Sequence, residues 1–166
     1  MSIEKDIQQN SFKSPYSKAV INIFYTNNWL TSLQMEIFKP FDLTPQQYNV
    51  LRILRGQYPE PITVIAIIER MLDKMSNASR LVDKLLAKEL VIRRVCPNDR
   101  RAVDVIITEK GLDLLSELDV LQQKWEQQLH GLTECEANQL SSLLDKLRNS
   151  EPSNELEKLS KKITSN

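Results

Sequence analysis

From Tyr16 to about Lys39 the apolar residues Val20, Ile23, Phe24, Leu30, Leu33 and Ile37 recur at helical spacing. The pattern predicts one long helix that ends at Pro40, because proline lacks a donor and clashes with the preceding turn. At a helical rise it would be roughly 35 Å long, more than a small domain needs for its own core. The stretch 1–14 ahead of it is polar, with only Ile3, Ile7 and Phe12 scattered through it. It reads as a loose or weakly helical arm. After Pro40, Thr44-Pro45 followed by Gln47 has the form of a helix start, with a capping hydroxyl and a proline in the first turn. This second helix turns Tyr48, Leu51 and Leu54 inward and stops near Gly56. Tyr58-Pro59-Glu60-Pro61 forms a rigid connector to a third, very apolar helix from Thr63 to Leu72. A break at Asp73–Met75 leads to Ser76, read as the N-cap of a fourth helix that runs to about Lys88.

The period then changes from helix to strand. Val91–Val95 and Val103–Ile107 are β-branched runs on either side of a Pro97-Asn98-Asp99 turn, which predicts a hairpin. Thr108 and Gly111 open a fifth helix with Leu114, Leu118, Leu121, Trp125 and Leu129, broken at Gly131. Thr133 and Glu136 have capping-box spacing for a sixth helix, with Leu140, Leu143, Leu144 and Leu147 inward. Pro152 separates a short amphipathic tail. The expected fold is mainly α with a small β-hairpin wing, a winged helix-turn-helix flanked by long N- and C-terminal dimerisation helices. The expected division is a flexible arm (1–15), an N-terminal dimerisation helix (16–40), the winged domain (41–108), and C-terminal dimerisation helices with the tail (109–166). The long helices are apolar on faces that a small winged core cannot cover alone. A second copy of the chain is the simplest cover.

Composition narrows the function classes. With 166 residues, 41% hydrophobic and 27% charged, the chain is an ordinary globular protein of about one domain. No apolar run is long enough for a membrane span and the N-terminus does not resemble a signal peptide, so a cytoplasmic location without membrane contact is expected. A single histidine, His130, and two distant cysteines leave metal, cofactor and disulfide chemistry short of ligands. No nucleophile elbow, phosphate loop or triad appears, so no enzyme is expected.

Charge is balanced overall at 22 basic and 22 acidic side chains, but it is unevenly placed. Residues 70–101 carry nine basic side chains (Arg70, Lys74, Arg80, Lys84, Lys88, Arg93, Arg94, Arg100, Arg101) against four acidic ones, a net of +5 that leaves −5 on the rest. On the fourth helix Ala78, Leu81, Val82 and Leu85 share the inward side, while Asn77, Arg80 and Lys84 share the other. Ser76 and Ser79 lie near its N-terminal end, where free N–H groups favour phosphate. Asparagine and arginine are the side chains that read adenine and guanine edges, so this face suits a major groove. A plain solvated helix surface would have the same composition, and the basic segment favours nucleic acid over it.

Asp99-Arg100-Arg101, followed by Val105-Ile106-Ile107-Thr108-Glu109-Lys110-Gly111, resembles the wing signature of the MarR family of bacterial transcriptional regulators. Leu43-Thr44 with Gln47 and Leu51 is similar to that family's second helix, and Ser76 to Leu85 to its recognition helix. The resemblance extends over about residues 16–148 in the same element order. It implies a homodimer on double-stranded DNA with a pseudo-palindromic operator. It also implies a minor-groove role for Arg101, a wing-tip role for Asp99, and major-groove or phosphate contacts from Ser76, Asn77, Ser79 and Arg80. The basic segment adds Lys74 and Lys84 as DNA contacts, and the hairpin arginines Arg93, Arg94, Arg100 and Arg101 as a second contact suited to a narrow minor groove. A small apolar or aromatic ligand is the expected release signal.

Glu89 departs from the family, which usually has glycine there, and Ile107 replaces the usual leucine. Either Glu89 adopts a left-handed conformation or the helix runs on and re-aims the wing. Ile65, Ile67 and Ile68 exceed one buried stripe, so they line a cavity or overfill the core. Trp29, Trp125, Phe24 and Phe38 are expected as core or interface anchors, and Cys135 as packing. Two alternatives stay open: a winged helix that docks protein instead of DNA, and a redox sensor using Cys96 among its arginine neighbours.

Overall fold

The computed structural model describes residues 2–95, 103–127, 129 and 131–149. The chain divides into two compact units, residues 1–121 and 122–166. The first opens with a short helix α1 (Ile3–Asp6) and the long helix α2 (Pro15–Phe38). Ser14 caps α2 by accepting from the Ser17 N–H at 3.1 Å. The arm has local order, since Ile3 is buried and Glu4 pairs with Lys18 on α2 at 2.5 Å. A 3₁₀ turn (Lys39–Phe41) follows and ends at Asp42, which is left-handed with φ 51°.

Helix α3 (Pro45–Arg55) starts at the expected Thr44 cap, which the structure shows to be a full capping box with Gln47. The Gln47 N–H donates to Thr44 Oγ1 at 3.2 Å, and the Thr44 N–H donates to Gln47 Oε1 at 2.9 Å. This pairing uses the polar end of a side chain that is almost fully buried. Strand β1 (Ile62–Thr63) and helix α4 (Val64–Arg70) come next, with Thr63 as the α4 cap. Helix α5 (Ala78–Ala87) precedes the hairpin of β2 (Val91–Val95) and β3 (Val103–Ile107), whose bounds match the sequence expectation.

The sheet has three strands, not the two expected, in the order β1-β3-β2 and antiparallel throughout. Ile62 lies opposite Val105, and Val91 opposite Ile107. A two-residue strand has no room to show alternation, so periodicity could not reveal β1. All four of these side chains are buried in the core. Leu51 and Leu54 from α3, Ile67 from α4, and Val82 and Leu85 from α5 join them, together with Leu115 and Leu118 from helix α6 (Glu109–Gln127). Phe38 closes this core by stacking on Tyr48 with ring centroids 4.5 Å apart.

Several expectations need correction. Helix α4 is shorter than predicted, and of its isoleucines only Ile67 is fully buried; Ile65 is 70% exposed, so the three do not form one cavity wall. Of the expected core or interface anchors, Phe38 is core, while Phe24 and Trp29 are exposed on α2 in the single chain. Phe38 is the sole α2 residue fully buried in the single chain. In the second unit, helix α7 (Glu134–Arg148) has the predicted Thr133–Glu136 capping box. Leu140, Leu143 and Leu147 are nevertheless exposed rather than inward, and Cys135 is exposed rather than packed.

Two groups of contacts fix α6 against the winged core. Arg55 of α3 makes a bidentate contact with Asp119, at 2.7 and 3.0 Å. Tyr58 Oη donates to Glu109 Oε1 at 2.9 Å. The hydrogen bond from Arg55 holds the Asp119 carboxyl below its ordinary value. A carboxyl depressed in the folded state contributes stability above its unfolded pKa and loses it as pH falls through the folded value. Wild type should therefore exceed Asp119→Asn in stability near pH 7, by no more than about 1 kcal/mol at this half-exposed site. The difference should shrink below about pH 4, as read by thermal unfolding across pH. A constant difference would show that the ion pair is not its source.

Candidate nucleic-acid interface

The turn before α5 is organised by Asp73. Its carboxylate accepts from the Ser76 hydroxyl at 2.7 Å and from the Met75 N–H at 3.0 Å. These bonds, Ser76 first, hold the Asp73 carboxyl below its usual range, so it stays ionised. Asn49 of α3 accepts from the Leu72 N–H at 3.0 Å and pins the other side of the turn. Sequence reasoning assigned neither residue a role, although Asp-x-x-Ser is itself a capping-like spacing.

With its hydroxyl committed to Asp73, Ser76 is not the N-cap. Asn77 caps α5 instead, its Oδ1 accepting from the Arg80 N–H at 3.0 Å. This changes what Asn77 can do: a bidentate contact to an adenine edge needs both ends of the amide, and one end is already used. Asn77→Ala should lower stability by about 1 kcal/mol, whereas Asn77→Asp, which keeps a cap oxygen, should stay close to wild type in urea unfolding. Equal losses in both variants would contradict the capping role.

Beyond the cap, α5 presents its polar side as expected. Ser79, Arg80 and Lys84 are exposed, and Ala78, Val82 and Leu85 are buried, with Leu81 half-buried between them. Lys74 is exposed in the turn. Among the described residues Lys74, Arg80, Lys84 and Arg94 take part in no ion pair within 4.0 Å. A concavity of about 360 Å³ lies between the start of α3 and the outer face of α5, lined by Thr44, Gln46, Ser76, Asn77, Arg80, Leu81 and Lys84. The structure thus brings four of the expected residues, Ser76, Asn77, Arg80 and Lys84, to one concavity, with Ser79 exposed on the same helix.

Two other basic residues of the segment are already engaged. Lys88 pairs with Asp42, donating to its main-chain oxygen and, at 2.7 Å, to its carboxylate. Arg93 pairs with Asp83 at 2.7 Å. The expected wing-tip residues Asp99, Arg100 and Arg101, and Cys96 with them, lie outside the described residues, as does His130.

The base of the wing explains the Thr-x-x-Gly motif. Glu89 is left-handed with φ 61°, so the helix does not run on, and the Glu89 carbonyl accepts from Thr108 Oγ1 at 2.9 Å. Thr108 Oγ1 in turn accepts from the Gly111 N–H at 3.1 Å, and the Thr108 N–H donates to the Leu90 carbonyl at 3.1 Å. Lys110 pairs with the Glu89 carboxylate at 2.9 Å. The turn from α5 into β2 is thereby seated on the first turn of α6. Glu89 tolerates a conformation suited to glycine because this network surrounds it.

A family model for the MarR family matches residues 43–103. The HTH-type transcriptional regulator MhqR of Bacillus subtilis (strain 168) is 37% identical over 76 residues, covering 46% of this chain and 51% of the relative. The match thus spans about half the length of that curated protein. The crystal structure of a MarR transcription factor from Planctomyces limnophilus is 34% identical, with a TM-score of 0.62, covering 81% of this chain and 98% of that one. A structure of Staphylococcus aureus MepR in complex with DNA shares the fold at 23% identity and a TM-score of 0.70, over 85% of this chain and all of that one.

Proposed function

Because the chain belongs to the MarR family of transcriptional regulators, we propose that it is a homodimeric repressor of a pseudo-palindromic DNA operator, released by a small ligand. The observation that carries the DNA reading is the outer face of α5, where Arg80 and Lys84 stand exposed beside a capped helix start. Arg80 and Ser79 approach base edges, and Lys84 and Lys74 take phosphate. Arg101 enters the adjacent minor groove from the wing, with Arg100 and Asp99 beside it. The relative solved with DNA, MepR, has the same fold.

Dimerisation is supported by apolar surface that the single chain leaves open. On α2, Tyr16 is 82% and Phe24 65% exposed, and Trp29 is exposed as well; α7 exposes Leu140, Leu143 and Leu147. Burying large side chains of this kind contributes about 1.5–3 kcal/mol each. Two chains would present two copies of α5 about 34–36 Å apart, one duplex turn. Release works by changing that spacing: a ligand that prefers a wrongly spaced dimer shifts the population off DNA by its differential affinity. A concavity of about 270 Å³ joins the end of α2 to the start of α3, lined by Met35, Glu36, Lys39, Asp42, Leu43, Thr44 and Pro45. We take this concavity as the candidate place for the ligand. Among the described residues no helix is long and apolar enough to cross a membrane.

The test is a titration of the chain against the DNA flanking its gene and against scrambled duplex at several salt concentrations, with light scattering of the free protein. The expected result is a dimer at micromolar concentration and a steep loss of affinity with salt. A monomer, or a dimer that ignores duplex DNA at low salt, would move the protein-docking alternative ahead.

A further inference from the structure

We propose that Arg93 positions the recognition helix against the wing for base discrimination and does not itself touch DNA. The proposal rests on the DNA reading above and concerns the geometry behind it. Arg93 lies at the middle of the edge strand β2, opposite Val105, a fully buried residue of the central strand β3, so its backbone is held by the sheet ladder. From there its guanidinium reaches two points on α5 that are one helical turn apart. Nη1 meets Asp83 Oδ1 at 2.7 Å, and Nη2 donates to the Ser79 carbonyl at 3.3 Å. The Ser79 carbonyl sits at the peptide that links Ser79 to Arg80, the exposed pair assigned to base edges. A carbonyl has two lone pairs, so it can serve both the helix and this brace.

Among the described residues, Arg93 supplies the side-chain polar contacts given between β2 and α5. At its C-terminal end the helix is held by the Lys88–Leu90 turn and its bonds to Thr108. Towards its N-terminal end, where recognition helices meet base edges, Arg93 provides the link to β2. The Arg93–Asp83 pair is neutral, so it adds nothing to phosphate attraction. Its function is angular: α5 and the wing must enter different grooves together, and small errors in that geometry are costly. Of the nine basic residues in segment 70–101, Arg93 is therefore assigned to positioning rather than to contact.

Three full-length variants test this: Arg93→Gln, Asp83→Asn, and the exchange Asp83→Arg with Arg93→Asp. Each is titrated against operator and scrambled duplex at several salt concentrations, and hydrogen exchange of segment 79–95 is followed without DNA. Both single variants should lower the preference for operator over scrambled duplex by about tenfold, with the slope of affinity against salt unchanged. The exchange should recover the preference to within about threefold, as a brace can be rebuilt with its ends swapped. In free protein, segment 79–95 should exchange faster in the single variants and near the wild-type rate in the swap.

Asp83→Asn is the decisive variant, because it removes an acid beside DNA. If Arg93 is a phosphate contact, freeing it should tighten binding to both duplexes. Arg93→Gln would then weaken both equally and reduce the salt slope by about one charge per subunit. Either result overturns the proposal, as does unchanged exchange in both single variants. Should Arg93→Gln fail to fold, Asp83→Asn still gives the same opposed outcomes without loss of side-chain bulk. A wild-type protein that binds no duplex would refute the DNA reading, while the exchange experiment would still decide whether the brace exists.

Discussion

Replacing Gly111 with alanine is expected to destabilise the winged core by about 3 kcal/mol. A Cβ at this position would lie 2.5 Å from the Leu90 carbonyl oxygen and 2.7 Å from Ile107 Cγ1. The carbonyl cannot yield easily, since it already accepts from the Thr108 N–H. Relief requires the first turn of α6 to lift from the α5–β2 turn, which breaks the Thr108–Glu89 bond and shifts β2 and Leu90 from the core. A loss of that size is a large part of the 5–15 kcal/mol that holds a typical domain together. Gly131 supplies the control, because a Cβ there meets nothing within 4 Å and its φ is not positive. Gly131→Ala should change stability by less than about 0.5 kcal/mol. Urea unfolding of both variants checks the pair, and a Gly111→Ala midpoint equal to wild type would mean that the close approach is absent.

The second large effect is on recognition. Arg80→Ala should cost about 1–3 kcal/mol for each base edge it no longer reads, and should relax the preference at defined operator positions. Stability should change little, because Arg80 is exposed and contributes only its backbone N–H to the Asn77 cap. Lys84→Ala should behave differently, weakening all duplexes alike and flattening the salt dependence by about one charge per subunit. The pair of variants separates reading from phosphate attraction on a single helix. If both bind operator like wild type, α5 is not the recognition element.

The elements legible from sequence are those whose signal is local and long enough to repeat. The 24-residue α2, the two five-residue strands, the Thr44 cap and the Thr133–Glu136 capping box follow from spacing alone. Strand β1 is not legible, because its two residues become a strand only through pairing with Val105 and Asp104, far away in the chain. The α5 cap is ambiguous in sequence because Ser76 and Asn77 are both good caps, and the choice between them lies in Asp73 taking the serine hydroxyl. At the site, the basic segment and the outward side of α5 are visible as composition and period. What charge counting cannot show is which cations are already paired: Arg93 meets Asp83 across the turn into β2, and Lys88 meets Asp42 at the end of the 3₁₀ turn. The leucines of α7 show the remaining limit: periodicity identifies an apolar face but not which chain covers it.

The measurement closest to the central claim is chemical footprinting of guanine N7, a major-groove atom, on operator DNA with wild type and Arg80→Ala. Two recognition helices one turn apart should protect guanines in two patches centred about 10–10.5 base pairs apart. Arg80→Ala should lose that protection at protein concentrations that still saturate the duplex. A single protected patch, or protection unchanged by Arg80→Ala, would contradict a dimer that reads DNA through α5.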